Sequence, residues 1–215
     1  MVDSSLALRA CSCVVHGHTI GEFMDVEVER DMCVLEFWAG VSSIAREARA
    51  QGLNSAAVEL SAGGVLNNLL GPEGFSHAVG LVLRLRPGGL LWMAPVCSSF
   101  VWLSSSHTKR CAENEYRGDQ TNHDVREGNL GAEVAAFLFT LAWVRSAQPC
   151  IENPPGSSMW KYPAIQAMLS TLPHLHFALA HRCVFDSAEY GEMNLKQYKF
   201  LASGPWITSP ALTAN

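Results

Sequence analysis

Four residues suited to ligand binding or catalysis stand where predicted β-strands end: Gly40, Glu59, Cys97 and Glu152. Gly40 follows the strand-like residues 33–36, and a residue without a Cβ lets the backbone approach a ligand closely. Glu59 closes the next predicted strand about 20 residues further on, at the spacing of an acid that accepts hydrogen bonds from ribose hydroxyls. The pair predicts a nucleoside-type ligand at a βα turn.

The residues after Gly40 complete the first half of a βαβ unit. Residues 41–48 are predicted to form a helix whose start supplies free N–H groups, and a second strand follows at residues 54–58. Ser42 and Ser43 stand where a dinucleotide-binding fingerprint has glycine. A plain packing turn is therefore the alternative.

Cys97 and Glu152 have side chains for covalent catalysis. Cys97 directly follows a buried strand, and a thiolate is a nucleophile when a cation or a helix start favours it. The alternative is a buried structural cysteine. Glu152 would protonate or hydrogen-bond a substrate nitrogen, or else cap the turn that follows it. The candidate cations for the Cys97 thiolate are Lys109, Arg110, Lys196 and Lys199.

The remaining elements follow from apolar periodicity and from glycine and proline positions. They are a helix at 75–85 stopped by Pro87-Gly88-Gly89, a strand at 90–94, a helix capped by Asn129 and running to about 147, a strand at 149–152, a helix at 163–172, a strand at 176–185, and a turn with a final strand pair at 190–207. The polar connection at 104–128 has the length of a lid or a disordered loop.

Strands that alternate with helices at this spacing predict an α/β fold, a doubly wound, mostly parallel Rossmann-like sheet. We expect one domain at residues 32–209, an N-terminal arm at 1–31 and a short tail at 210–215. Ligands of such sheets bind beyond the carboxyl ends of the strands, where all four candidate residues are predicted.

Composition limits the partners. The 215 residues are 48% hydrophobic and 16% charged, which is typical of a well-buried globular protein. The net charge of −5 argues against independent binding to nucleic acid, because phosphate contacts are mostly made by lysine and arginine. The longest apolar run, at 134–144, is too short to span a membrane. Seven cysteines and no signal-peptide pattern predict an intracellular protein of the nucleus or cytoplasm.

The N-terminal region contains four residues of types that bind zinc: Cys11, Cys13, His16 and His18. No second cysteine pair accompanies them. We therefore predict no metal site and favour a strand or a loose arm.

In chain order, these segments resemble the catalytic domain of DNA cytosine-carbon-5 methyltransferases, which are class I S-adenosylmethionine-dependent enzymes. The matching segments are Phe37-Trp38-Ala39-Gly40 for the first cofactor motif, Glu59 for the ribose-binding acid, Pro95-Val96-Cys97 for the nucleophile motif, Ser104 for a downstream serine, Ile151-Glu152-Asn153-Pro154 for the Glu-Asn-Val motif, and Tyr190-Gly191 with Lys196 and Lys199 for a Tyr-Gly motif. The resemblance covers roughly residues 33 to 203.

The resemblance implies S-adenosylmethionine as cofactor and cytosine as methyl acceptor. Cys97 would add to carbon 6 of a cytosine flipped out of the duplex, and Glu152 would hold and protonate the ring. The implied cofactor-binding residues are Phe37, Ala39, Gly40, Glu59 and Pro95. The implied substrate-binding residues are Ser99, Ser104, Asn153, Lys196 and Lys199.

The chain departs from that family in several places. Val96 replaces a proline, lysines replace later arginines, and no acid between Glu59 and Glu73 can meet the adenine amino group. We also expect it to lack a target-recognition domain, because little chain follows residue 209. The expected partner is nucleic acid, DNA in the first place, bound weakly unless a partner protein adds basic surface.

Two alternatives remain. Asn153-Pro154-Pro155 resembles the Asn-Pro-Pro-aromatic motif of amino-group methyltransferases, although Gly156 takes the aromatic place and the motif follows the fifth strand instead of the fourth. The other alternative is a degenerate methyltransferase fold that acts as a non-catalytic binding module.

Overall fold

The computed structural model describes residues 14–185 and 193–208, and only the backbone for 181–185 and 193–196. The strands of the described chain are β1 (Met32–Phe37), β2 (Ser55–Val58), β3 (Leu85–Met93), β4 (Gln148–Asn153), β5 (His176–Phe185) and β6 (Met193–Ala202). Its helices are α1 (Ser43–Ala50), α2 (Pro72–Leu83), α3 (Ser105–Thr108), α4 (His123–Val144) and α5 (Pro163–Thr171).

The six strands form one sheet in the order β2–β1–β3–β4–β6–β5. Neighbouring strands among β2, β1, β3 and β4 pair in parallel, whereas β6 is antiparallel to both β4 and β5. The predicted mostly parallel α/β sheet is confirmed. None of the described helices is long and apolar enough to cross a membrane.

Helices cover both faces of the sheet, as a doubly wound fold requires. All six residues of β1 are buried, because a central parallel strand packs against elements on both sides. On one face, Leu35 and Phe37 join the main core beneath α2, α4 and α5. On the other face, Val34 packs against Ala48 of α1. Further along that second face, Cys150 and Ala202 are covered by the turn around Ile207.

The described part of the N-terminal region packs on the face of the sheet that is covered by α2, α4 and α5. Val15 and Ile20 are buried in the main core, and the His16 ring lies 5.4 Å from the Phe75 ring. His18 Nδ1 is 3.0 Å from Glu22 Oε2. Cys11 and Cys13 lie outside the described residues, so the structure gives the positions of only His16 and His18 from the four potential zinc ligands.

β3 begins earlier than expected. It starts at Leu85 and includes Pro87-Gly88-Gly89, which we expected to separate a helix from a strand. The pairing register with β1 jumps from Met32↔Leu85 to Val34↔Leu90, and Gly88 has a φ of +75°. The Pro-Gly-Gly segment is therefore a bulge within the strand, where glycine provides the left-handed conformation.

The connection at 104–128 is an ordered segment and not a disordered loop. It contains α3, a 3-10 turn at Ala112–Asn114 and the first turns of α4. α4 begins at His123, because Asn122 Oδ1 accepts a hydrogen bond of 2.9 Å from Asp124 N. Asn129, the expected cap, lies buried inside the helix.

The C-terminal stretch contributes one strand where we expected a strand pair. β6 pairs with β4 and β5 on its two sides, and a 3-10 turn follows at Pro205–Thr208. Tyr190 and Gly191 lie outside the described residues.

α2 packs closely against the chain segment that precedes it. A Cβ at Gly74 would lie 1.9 Å from Asn68 O and 3.0 Å from Val65 O. Gly80, in the same helix, is exposed, and a Cβ there would meet no atom within 4 Å. Only Gly74 is therefore required by packing.

We expect Gly74→Ala to destabilise the fold by about 1–3 kcal/mol, because the added methyl group overpacks a backbone carbonyl. Gly80→Ala is the matched control and should stabilise by up to about 1 kcal/mol, since alanine is the better helix former. Urea unfolding with an unchanged m-value measures both. Equal stability of the two variants would contradict the packing argument.

Candidate cofactor and substrate site

A cavity of about 310 Å³ lies where the strand order reverses. From β1 the sheet continues to β2 on one side and to β3 on the other, and ligands of open α/β sheets bind at such a reversal. The cavity is lined by Trp38, Gly40, Val58, Glu59, Leu60, Asn67, Asn68, Leu69, Leu70, Ala94, Val96, Ser98, Ser99, Asp124, Glu127, Gly128 and Gly131.

The turn after β1 has an unusual backbone. Trp38, Gly40 and Ser42 all adopt left-handed conformations, with φ of 52°, 52° and 55°. A non-glycine residue in this region costs about 1–2 kcal/mol, so the surrounding contacts must hold Trp38 and Ser42 in place. A Cβ at Gly40 would meet no described atom within 4 Å, so the space beside this residue is open. Strained backbone beside open space is typical of a ligand site.

Glu59 joins the ends of β1 and β2. Its Oε2 accepts a hydrogen bond of 2.7 Å from Gly40 N, and its Oε1 accepts one of 3.2 Å from Ser61 N. A carboxylate has about four acceptor positions, so about two remain for hydroxyl groups of a ligand. Glu59 therefore orders the glycine turn and keeps capacity to bind.

The start of α1 is less available than we expected. Glu36 is buried in β1, and its Oε2 accepts a hydrogen bond of 2.8 Å from Ala45 N. Burial raises the pKa of Glu36, although the backbone N–H groups of Ala45 and Ile44 oppose that rise. The N–H of Ala45 is thus occupied by a side chain and is not free for an anion.

Two of the five predicted cofactor residues line the cavity, namely Gly40 and Glu59. Phe37 is fully buried in the main core, and neither Ala39 nor Pro95 reaches the cavity surface. Trp38, the first residue after β1, lines it instead, and its side chain also packs against the main core.

Four cavity residues with amide or carboxylate side chains were not anticipated from the sequence: Asn67, Asn68, Asp124 and Glu127. The two carboxylates come from the first turns of α4, inside the connection that we interpreted as a lid. The two asparagines come from the 3-10 turn before α2. No local pattern distinguishes them from ordinary surface residues.

Cys97 lies in a tight turn at the carboxyl end of β3. It is half-buried between the cavity residues Val96 and Ser98, and its carbonyl accepts a hydrogen bond of 2.8 Å from Phe100 N. Asn153 fixes the start of this turn by donating from Nδ2 to Pro95 O at 2.9 Å. Asn153 is 2% exposed, and no described donor contacts its Oδ1.

Glu152 and Asn153 belong to opposite faces of the sheet. Glu152 pairs with Phe200 of β6 and shares its face with Cys150, whereas Asn153 pairs with Lys199. Burial, and secondarily the charge of Glu152, raises the pKa of the Cys150 thiol. Cys97 and Glu152 are not themselves cavity-lining residues, so their roles remain predictions.

The predicted substrate residues are in different environments. Ser99 lines the cavity, but its hydroxyl accepts a hydrogen bond from Arg110, and Ser104 Oγ donates to Val101 O at 2.8 Å. Lys199 Nζ lies 4.1 Å from the Phe177 ring centroid, and burial lowers its pKa. The backbone of Lys196 pairs with Arg182, and its side chain is not among those described.

The loop cations proposed to activate Cys97 have other partners. Lys109 Nζ lies 2.9 Å from Asp119 Oδ2. Arg110 is buried, and each of its five N–H groups is engaged with an acceptor other than Cys97. Arg110 therefore has no N–H group left to donate to Cys97, and the source of positive charge for the thiolate stays a prediction.

No protein-family model and no curated protein matches the sequence. Among solved structures, the chain is similar to the methyltransferase EhMeth of Entamoeba histolytica, with 13% identity and a TM-score of 0.41 over 82% of this chain and 53% of that one. It is also similar to a DNMT2 mutant of Spodoptera frugiperda, with 12% identity and a TM-score of 0.38 over 85% of this chain and 53% of that one.

A third similar structure is the precorrin-6y C5,15-methyltransferase of Geobacter metallireducens, with 11% identity and a TM-score of 0.41 over 94% of both chains. The chain spans about half the length of the first two proteins.

The environments of Cys97 and Cys150 predict different reactivity. In the native protein, iodoacetamide should modify Cys97 at least about tenfold faster than Cys150, because the reagent needs an accessible thiolate. The raised pKa of Cys150 leaves a smaller fraction of it as thiolate at any pH below that pKa. Peptide mass spectrometry measures both rates. The two cysteines should react alike in urea, and equal native rates would contradict this difference.

Proposed function

We propose that the chain is an S-adenosylmethionine-dependent methyltransferase whose cofactor binds in the cavity beside Gly40 and Glu59. The hydrogen bond between Gly40 N and Glu59 Oε2 is the observation that carries the proposal. It brings an open glycine turn and a carboxylate together at the reversal point of the sheet, where a nucleoside ligand of such folds binds.

The cavity residues fit this cofactor. The volume of about 310 Å³ is at the lower end of the range for small-molecule sites, about 300–1,000 Å³. Trp38 offers an aromatic surface for the adenine, and Glu59 has acceptor positions for the ribose hydroxyls. The carboxylates of Asp124 and Glu127 suit a cofactor that carries sulfonium and ammonium charges.

We propose cytosine carbon 5 as the methyl acceptor, with Cys97 as nucleophile. The Cys97 thiolate forms a bond to carbon 6 of the ring, and electron density moves to carbon 5. S-adenosylmethionine, when bound, would supply the methyl group to carbon 5 and leave as S-adenosylhomocysteine. Water then takes the carbon-5 proton, and the electron pair of the broken carbon–hydrogen bond expels the Cys97 thiolate and restores the ring. Glu152 would hydrogen-bond a ring nitrogen during the addition.

The position of Cys97 supports this assignment. The Pro95-Val96-Cys97 segment follows β3, the strand beside β1, and Glu152 lies on β4, the next strand. Residues on both sides of Cys97 line the cavity, so its turn borders the proposed cofactor site. The net charge of −5 implies that a nucleic-acid acceptor would bind weakly unless a partner protein adds basic surface.

One observation favours methyl transfer to an amino group. Asn153 Oδ1 has no donor among the described residues, and an amine could donate to it. The strand before Asn153-Pro154-Pro155 is also the fourth in the described chain, not the fifth as we expected. Against this function, Asn153 is 2% exposed and its Nδ2 already binds Pro95 O. We therefore rank it second.

Glu59→Ala should weaken S-adenosylmethionine binding by about 1.5–3 kcal/mol, the usual range for losing a hydrogen bond to a charged group. Isothermal titration calorimetry measures the change. Glu73→Ala is a matched control, because Glu73 is an exposed carboxylate that does not line the cavity. Unchanged affinity in Glu59→Ala would mean that Glu59 is not the ribose ligand.

DNA or RNA that contains 5-fluorocytosine should trap the protein covalently in the presence of cofactor, because fluorine blocks the proton loss that releases Cys97. Cys97→Ser should abolish trapping and leave cofactor affinity unchanged. Denaturing electrophoresis detects the adduct, and Cys111→Ser is the control at another half-buried cysteine.

Each outcome of the trapping experiment distinguishes one function. Trapping that persists in Cys97→Ser would refute this cysteine as the nucleophile. Cofactor binding without trapping, but with methylated amino groups, would favour Asn153-Pro154-Pro155 as the catalytic motif. Cofactor binding with no methyl transfer to any nucleic acid would favour the non-catalytic binding module.

A further inference from the structure

We propose that Arg110 is a positioning residue that holds the turn at 97–100 against the first turns of α4 and thereby sets the width of the cavity. The turn at 97–100 includes Cys97, and α4 contributes Asp124 and Glu127, so Arg110 joins two cavity walls. The consequence for methyl transfer rests on the function proposed above, whereas the consequence for cavity shape does not.

The guanidinium group of Arg110 uses all of its donors. Nε donates to Ser99 O at 2.8 Å, and Nη2 donates to Ser99 Oγ at 3.0 Å and to Val125 O at 3.2 Å. Nη1 donates to Tyr116 O at 2.6 Å and to Asn129 Oδ1 at 2.7 Å. Arginine has five N–H groups in a rigid plane, and each one meets an acceptor here.

These acceptors come from three segments that are distant in sequence. Ser99 belongs to the turn after β3, Tyr116 to the connection, and Val125 and Asn129 to α4. The guanidinium carbon also lies 3.7 Å from the centroid of the Phe100 ring. One side chain therefore fixes the relative positions of three segments, two of which line the cavity.

The surrounding chain is shaped to admit this side chain. A Cβ at Gly118 would lie 2.9 Å from Arg110 Cγ, and a Cβ at Gly128 would lie 2.2 Å from Ser99 Oγ and 3.1 Å from Arg110 Nη2. Gly118 also has a φ of +71°, a conformation that glycine adopts without strain. A side chain at either glycine would clash with Arg110 or with its partner Ser99.

Charge compensation by a carboxylate does not explain the site, because every acceptor of Arg110 is a carbonyl, amide or hydroxyl oxygen. Burial lowers the pKa of Arg110 to about 10, so the group remains protonated at neutral pH. The site uses the planar arrangement of the five N–H donors of the guanidinium group. Lysine, with three donors on a single nitrogen, cannot reproduce it.

The test compares Arg110→Lys with Arg126→Lys. Arg126 is an exposed arginine on α4 whose Nη1 donates to Gln120 O and Thr121 O of the same connection. The first readout is the rate at which iodoacetamide modifies Cys97 in the native protein. The second is the affinity for S-adenosylmethionine by calorimetry, and thermal unfolding reports stability separately.

We expect Arg110→Lys to raise the Cys97 modification rate by about fivefold or more, because the turn opens locally. The affinity should fall by about tenfold, because misplaced walls lose ligand contacts. Arg126→Lys should leave both within about twofold of the wild type, the scatter expected for a surface substitution. Wild-type values for both readouts in Arg110→Lys, with only a lower unfolding temperature, would overturn the proposal.

A second set of variants keeps the test decisive if Arg110→Lys does not fold. Gly128→Ala places a methyl group against Ser99 Oγ, and Ser99→Ala removes that oxygen. The double variant should therefore show a Cys97 modification rate closer to the wild type than Gly128→Ala alone. Gly80→Ala is the control in another helix, because Gly80 is exposed, does not line the cavity, and its Cβ would meet no atom within 4 Å.

An unaltered Cys97 rate in Gly128→Ala, or equal effects of Gly128→Ala and Gly80→Ala, would also overturn the proposal. The modification rate of Cys97 requires no cofactor. A wild-type protein that fails to bind S-adenosylmethionine would therefore refute the proposed function and still leave the role of Arg110 to be decided.

Discussion

The hydrogen bond from Gly40 N to Glu59 Oε2 holds the glycine turn in the conformation on which the cavity depends. β1 is buried along its whole length, so its carboxyl end has a fixed position, but the turn beyond it is strained at Trp38 and Ser42. Glu59 secures the turn from β2, and Glu36 secures the start of α1 by accepting from Ala45 N. Two carboxylates thus offset the cost of the left-handed residues.

The opposite wall of the cavity is held by a different interaction. α4 is the longest helix of the described chain, and its inner half is buried in the main core. Its first turns extend beyond the core, where Asn122 caps them and Arg110 fixes them. The sheet therefore positions one wall directly, while the other depends on a buried guanidinium group.

Apolar periodicity and turn residues predicted the sheet, its parallel strands and the full extent of β5. They failed where tertiary contacts decide between equivalent local signals. Asn122 and Asn129 are both able to cap a helix. Asn129 lies inside α4, where its Oδ1 accepts from Arg110 Nη1 and its Nδ2 donates to Arg117 O. The polar and charged residues of the connection at 104–128 suggest a lid or a loop. The burial of Arg110, which orders this segment, cannot be read from the local sequence.

The same limit applies to the site residues. Gly40 and Glu59 were predictable, because backbone spacing alone places them at neighbouring strand ends. Phe37 is buried in the core and Trp38 lines the cavity, because the chain leaves β1 in a left-handed conformation that strand periodicity does not predict. Asp124 and Glu127 reach the cavity only through the packing of α4, and no spacing in the sequence relates them to Glu59.

The charge of the sheet edge around the cavity limits which molecules it can bind without a partner protein. The cavity has three carboxylates, and among the described residues none of its lining side chains is basic. Beyond the turn at 97–100, the chain presents Trp102 and Leu103, which are 79% and 83% exposed. Phosphates are bound by lysine and arginine, but Lys109 is paired with Asp119 and Arg110 is buried. This edge therefore offers a polynucleotide backbone no basic side chain of the cavity lining, and phosphate contacts would need basic surface from elsewhere.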